Sequence, residues 1–528
     1  MLWIAALFSY VGAAMYDVGA SWLMTSIAPN PLFVSLVTTA TALPIVLFAL
    51  PSGILSDIFD RRTILLITCA YMFTLSTLLG ILTLVGLTTT TVLLILTFAL
   101  GAGTTMIRTP IIPTMSGLVS RSELPNALTL SALASNLGRV IGPIVGGFIV
   151  AAIAPWAVFF LNSASFIGMM IVLSRLPSKP NVTFHQQQSS LPPENIIRAI
   201  RFQIRYIRHS QAAHVLILRA GLFALCSSAL LSLLPLIAKH ELGLDSTGFG
   251  LLLGSYGVGA IIGGIVILPR LRPKASVETL ITLSIALLAI VTFVMGYIRI
   301  FEIACLVMGL GGIAYITILS KFYTIGLKSA PKWIGARVLA VYLLILNGGL
   351  VVGSVLWGAV ANTFGIPITL SVASLALGAT IIFRKRYSTT LFDDLDFTPA
   401  SDHWSIPPQS SIDPSQVDNQ TLITIEYNKI DPKLSEEFQR SLNELGRMLK
   451  TEGMAYWELF QDPADSGHYM EIRIADTWTD HMRQHQRVTK NVQDMENRIR
   501  ELIKDSPQPV VSHYIGKSAP KKFIPFDT

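Results

Sequence analysis

The chain has 528 residues, of which 52% are hydrophobic and only 13% charged. Soluble domains carry about 25% charged residues, so these totals exclude a soluble enzyme as the bulk of the chain and indicate a polytopic membrane protein. The net charge of +7 does not indicate nucleic acid, because the Lys and Arg stand beside apolar runs, where they orient a chain in a membrane.

Apolar segments long enough to cross about 30 Å of hydrocarbon as helices fall at 2–26, 32–56, 63–86, 91–115, 124–152 and 155–175, and again at 214–238, 247–269, 277–297, 301–326, 334–361 and 364–383. The spacing predicts twelve spans arranged as six plus six, an all-α membrane body. Met1 leads directly into Leu-Trp-Ile-Ala-Ala-Leu with no basic segment, so a cleaved signal peptide is not expected. Cys69, Cys226 and Cys305 lie inside apolar runs and read as packing residues, with no disulfide framework.

The connections alternate in charge. Arg61, Arg62, Arg121, Arg175, Lys179, Arg270, Arg272, Lys274, Lys328, Lys332 and Arg384 to Arg386 fall on one side, against little beyond Lys239 and Arg299 on the other. The positive-inside rule makes the first side, and both ends of the membrane body, cytoplasmic. The loop Gly53-Ile-Leu-Ser-Asp-Ile-Phe-Asp-Arg-Arg62 joins spans 2 and 3 on that side. Asp57 adds nothing to a charge-bias signal, so it needs another explanation.

Three charges lie within spans: Asp17, Arg108 and Arg139. A charge at membrane depth costs roughly 2.5–3.5 kcal/mol on insertion scales and marks function. Asp17 is expected to couple protons or to pair with a cation, Arg139 being the partner considered. Arg108 is long enough to snorkel towards the cytoplasm, and Lys321 near the inner end of span 10 reads the same way. In span 5, Gly138, Gly142, Pro143, Gly146 and Gly147 form a small-residue face with a bend.

The two halves repeat at an offset of 211 residues. Gly53 and Arg61 fall on Gly264 and Arg272, while Gly138, Gly142 and Gly147 fall on Gly349, Gly353 and Gly358. Leu268 stands where the first half has Asp57. Parallel repeats of this kind place a substrate site between the halves. Between them, residues 177–213 form a cytoplasmic loop. Its stretch 194–209 sets Ile196, Ile200, Ile204 and Ile207 on one face and four arginines off it, a basic amphipathic helix on the lipid surface.

After residue 386 the composition turns polar. Residues 387–420 read as a Pro-rich linker. Residues 421–516 alternate and repeat as strand, helix, two strands, helix and strand, a βαββαβ ferredoxin-like order; residues 517–528 form a terminal tail. Thr477 with Asp480 caps the second helix, whose stripe is Val488, Val492, Met495, Ile499 and Leu502. His481 and His485 are one turn apart, a spacing that can ligate zinc, but no third ligand is evident beside them, since His468 and His513 lie on other elements. An exposed helix face is the expectation, and neither metal nor cofactor is expected. No Gly-x4-Gly-Lys-[Ser/Thr] is present, so a primary ATP-driven pump is not expected.

Gly53, Asp57, Arg61 and Arg62 resemble the loop between spans 2 and 3 of the major facilitator superfamily. The stretches 17–24, 121–128 and 138–147, together with Trp478-x2-His481-x3-His485, are similar to the transmembrane secretion effector branch, akin to bacterial enterobactin exporters. The 421–516 domain resembles antibiotic-biosynthesis-monooxygenase-like domains, which pair through their sheets and so imply a homodimer. The resemblance implies a gate in which Asp57 meets the other half, Arg337 being the candidate partner. It also implies that the span-5 glycines mark export. One departure is Thr97, where many members carry an arginine, so a proton relay built on that arginine is not expected. The implied function is proton-driven export of a drug, siderophore or secondary metabolite across a bacterial inner membrane. The rivals are import through the same fold, or a catalytic or ligand-sensing tail domain; the transporter itself is not expected to be an enzyme.

Overall fold

In a computed structural model, residues 2–116, 119–120, 122–175, 208, 210–271, 275–328, 332–384, 419–451 and 454–516 are described. The chain divides into two compact units: residues 1–183, 217–324 and 341–389, and residues 184–216, 325–340 and 390–528. Apart from residue 208, the amphipathic segment 194–209 lies outside the described residues, as do almost all of the linker and residues 517–528.

A backbone in hydrocarbon must bond to itself, so the apolar runs are helices. They are α1 (Leu2–Ile27), α2 (Pro31–Ile58), α3 (Arg61–Leu84), α4 (Thr90–Ser116), α5 (Leu124–Ala152) and α6 (Pro155–Ser174), then α7 (Gln211–Leu236), α8 (Ser246–Ile262), α9 (Val277–Tyr297), α10 (Phe301–Lys328), α11 (Lys332–Phe364) and α12 (Ile366–Ala379). Their starts are written locally. The side chains of Asn30, Asp60, Asp245 and Ser276 each accept a backbone N–H of the first turn, at 2.9, 2.9, 2.9 and 3.1 Å. α7 runs on as a π-turn, Ile237–Glu241, and α8 as another, Gly263–Ile267.

Eleven helices are long and apolar enough to cross a membrane among the described residues, one fewer than the twelve expected. The difference is α12, which tightens into a 3-10 turn, Thr380–Arg384, after fourteen residues. Gly365, at φ +81°, separates it from α11 in a conformation that suits glycine.

In the membrane body, α1 packs on α5 and α6, α3 on α4 and α6, α2 on α4, and α9 on α12. The span-5 glycines explain the first contact. A Cβ on Gly138 would stand 2.7 Å from Tyr10 Cβ, on Gly142 2.5 Å from Ala14 Cβ, and on Gly146 2.9 Å from Met15 Cα. Small residues every fourth position let the two backbones touch. Gly147 faces the other way, against Ser246 and Gly250 of α8, so α5 also joins the two halves.

The tail has its own architecture. Strands β1 (Thr421–Tyr427), β2 (Tyr456–Gln461), β3 (Tyr469–Ala475) and β4 (Val510–Ile515) form an antiparallel sheet in the order β2-β3-β1-β4. Helix α13 (Ser435–Thr451) lies between β1 and β2 in the chain. Between β3 and β4 the expected single helix is two, α14 (Trp478–Arg487) and α15 (Lys490–Leu502). The β-branched pair Val488-Thr489 leaves helical geometry there, with ψ 128° and 160°. Thr477 caps α14 as expected, accepting the Asp480 N–H at 3.0 Å. Ile423, Ile425 and Tyr427 from β1, Phe438 to Leu449 from α13, and Val492, Met495 and Ile499 from α15 make one core.

Candidate functional site

Asp17 on α1, Arg108 on α4 and Arg139 on α5 are all exposed although their helices are apolar. Asp17 lies within Coulombic reach of Arg108, and Arg108 of Arg139 and Tyr10. Arg139 in turn acts on Tyr256 of α8 and Tyr315 of α10, whose rings stand 5.8 Å apart. Phe223 of α7 packs on Tyr315 at 5.7 Å and Tyr342 of α11 lies within its Coulombic reach. The charges of the first half thus face polar aromatic rings of the second.

Sequence reasoning singled out the three charges but not this second wall. Tyr256, Tyr315 and Tyr342 are unremarkable in an apolar run, although a phenol repeated at mid-span is a usable signal. The departure at Thr97 also has a structural counterpart. Thr97 is buried and its hydroxyl hydrogen-bonds the Tyr16 hydroxyl at 2.8 Å, tying α4 to α1 beside Asp17.

The two halves meet towards the ends of the helices whose connections carry few cations. Trp22 stacks on Phe249 at 5.9 Å, Lys239 Nζ donates to the Thr25 carbonyl at 3.0 Å, and Thr39 and Ser354 share a hydroxyl hydrogen bond of 2.7 Å. Gly147 against α8, and Gly358 against Ser35 and Leu32, complete that contact.

The loop at 53–62 is placed as follows. Arg61 is exposed, and Arg62 donates to the carbonyls of Leu173 and Ser174 at 3.0 and 2.5 Å, completing the C-terminus of α6. A Cβ on Gly53 would meet nothing within 4 Å. The side chains of Asp57 and Arg337 lie outside the described residues. A buried pair that sequence reasoning missed joins α7 and α9: Arg219 Nη1 lies 2.8 Å from Glu278 Oε2. Lys321 is buried as well.

The profile of the MFS family described as transmembrane secretion effector matches residues 1–521. The chain belongs to that family. Among curated proteins, this MFS transporter is 23% identical over 375 residues to the Staphyloferrin A transporter of Staphylococcus aureus, covering 70% of the chain and 90% of that protein. It is 25% identical over 162 residues to the MFS-type transporter YfiS of Bacillus subtilis, covering 28% and 34%. Among solved structures, a bacterial homologue of the human lysosomal transporter Spinster, inward-facing and unoccupied, matches with a TM-score of 0.59 at 13% identity, covering 76% of this chain and 98% of that one. A POT family transporter in complex with 5-aminolevulinic acid matches at 0.59 and 10% identity, covering 73% and 96%. These likenesses show the fold.

The transporter's tail holds a second candidate site. A cavity of about 820 Å³ is bordered by Arg473, His481, His485, Glu496 and His513. The expectation that no third ligand stands beside His481 and His485 is corrected. β4 brings His513 to them, and one ligand atom from each imidazole lies within 4.8 Å of the others. Nor is this an exposed helix face, since His481 is 4% exposed. Burial first, then the charges of His485, His513 and Arg473, push His481 down to about 3, and burial pushes His513 down as well. Beneath the cavity Glu471 accepts from Trp457 Nε1 at 2.6 Å, the Tyr427 hydroxyl at 2.9 Å and Arg473 Nε at 2.6 Å. Burial works against the Arg473 charge, but Glu471 and Glu496 more than offset it and hold the guanidinium firmly protonated.

Proposed function

We propose that this transporter exports a small amphipathic molecule bearing anionic groups, of the siderophore or secondary-metabolite kind, across a bacterial inner membrane in exchange for protons. The charge cluster between the halves carries this reading. Two arginines and one carboxylate leave a net positive site walled by tyrosines, which suits a carboxylate- or phenolate-bearing substrate. In this reading Asp17 takes the proton, and Arg108 and Arg139 hold the substrate's anionic groups. The likeness to the Staphyloferrin A transporter supports the substrate class.

α12 with its 3-10 turn is the twelfth span: fourteen α-helical and five 3-10 residues rise about 31 Å together. Both ends of the membrane body are cytoplasmic. The contacts between the halves then lie on the outer side, which supports an inward-open state. Gly53, Asp57, Arg61 and Arg62 with Arg337 gate the inner side, and Gly138, Gly142, Pro143, Gly146 and Gly147 are the surface on which α5 moves. The sheet order of the tail supports a ferredoxin-like domain. Exposed Val510, Val511 and Tyr514 on edge strand β4 support its pairing with a second copy of the chain.

The test is accumulation of siderophores and fluorescent amphipathic anions in efflux-deficient cells expressing the chain. Accumulation should fall, and both Asp17→Asn and an uncoupler should abolish the fall. Higher accumulation would reverse the direction, and a fall indifferent to the mutation would remove Asp17 from the mechanism.

A further inference from the structure

The tail histidines belong to no step of transport. His481 and His485 sit at i and i+4 on α14, one above the other on one helix face. His513 lies on β4 directly opposite Ile423 of β1, and residues opposite each other in an antiparallel pair point to the same face of a sheet. Ile423 is in the core, so that face is the one the helices cover. Trp478 packs against both His481 and His513, at ring distances of 5.5 and 6.0 Å, and limits their rotation.

The Nε2 atoms of His481 and His485 are 3.1 Å apart. Two nitrogens at about 2.0–2.1 Å from one tetrahedral ion stand about 3.3 Å apart, so the pair is set at a separation that a metal ion would need. Neutral imidazoles suit zinc and its first-row neighbours.

We propose that His481, His485 and His513 bind one divalent first-row transition-metal ion, zinc being the ion to try, with a coordination position left open to the cavity. Three protein ligands and a free position are the arrangement of an ion that also takes an exogenous ligand. The open position faces a cavity bordered by both Arg473 and Glu496, and water is the oxygen donor assigned to it. The competing account of the 3.1 Å separation is a hydrogen bond between two neutral imidazoles, with no ion.

The experiment uses the full chain in detergent, purified with a tag free of histidine. It is equilibrated with buffered micromolar zinc, desalted and assayed by mass spectrometry for metal; a parallel sample is loaded with cobalt and read by visible absorption. Expected are about one zinc per chain, as for a single site, and the ligand-field bands of four-coordinate cobalt. His513→Ala should weaken zinc binding by at least the roughly 10–100-fold that loss of a supporting partner costs. His468→Ala, whose imidazole bonds Asp462 instead, should leave it unchanged. A wild-type chain that retains no zinc and shows no cobalt bands overturns the proposal, however the variants fold. Zinc retained equally by His481→Ala, His485→Ala and His513→Ala also overturns it.

Discussion

Asp17, Arg108 and Arg139 in the membrane body and Glu471, Arg473 and Glu496 in the tail are both clusters of carboxylate and guanidinium, yet the chain treats them in opposite ways. The tail cluster is paired within itself. Glu471 is 0% exposed, and tryptophan, tyrosine and arginine donors saturate its oxygens. The membrane cluster is exposed and interacts over longer range, and among the described residues none of its members closes an ion pair. The membrane body is able to pair charges too, as Arg219 and Glu278 do at 2.8 Å. Leaving the other three open is therefore a property of their place between the halves. A buried charge without partners is costly, so an open cluster persists where water or a ligand completes it.

The comparison is sharpened most by Glu471→Ala. It strips Arg473 of its nearest carboxylate and should cost about 3–5 kcal/mol, read as lost hydrogen-exchange protection of the tail in the full chain. A loss under about 1 kcal/mol would mean that the network is not what holds the sheet to its helices.

Acid tests the same region through His481. Its folded pKa, about 3, lies below the ordinary 6.5, so the unfolded tail binds the proton first. Stability is then complete above about pH 6.5 and is lost as pH falls towards 3. The metal-free tail should lose roughly 2–4 kcal/mol between about pH 7 and pH 4; a flat profile would mean that water reaches the imidazole.

Smaller effects belong to the membrane body. Gly147→Ala drives a methyl into α8 and should cost about 1–3 kcal/mol of the state in which the halves touch, seen as weaker cross-linking between cysteines placed at Thr39 and Ser354. Gly53→Ala meets nothing and lies inside α2, so it should raise stability by up to about 1 kcal/mol, read as a small rise in Tm. Smallest of all, Arg108→Ala should shift stability by no more than about 0.5 kcal/mol while transport falls at least tenfold. A large destabilisation there would show that the open cluster is structural after all.

Reading the chain alone reaches the helices, because each long apolar run must satisfy its own backbone in hydrocarbon, and it reaches the cap at Thr477, which acts on the turn next to it. It also reaches the tail's strand and helix stripes, which reappear in one core. It reaches the three intramembrane charges, since each breaks an apolar run. It does not reach Tyr16 with Thr97, separated by 81 residues, or Arg219 with Glu278, separated by 59. Neither residue of those pairs carries a local sign of its partner. The split of the last helix was missed because a stripe from Val488 to Leu502 hides the change of direction at Thr489.

What the sequence determined by itself is whatever the bilayer enforces residue by residue: which segments are helical, which connections carry the cations, and that the chain repeats. Those constraints act on neighbours along the chain, so composition and period record them. What only the tertiary structure decided is which side chains from distant segments share a space. The tyrosines of the second half come to face Arg139, and β4 carries His513 to the pair on α14. Such meetings depend on helix packing and strand register, whose partners lie tens to hundreds of residues away and leave no periodic trace.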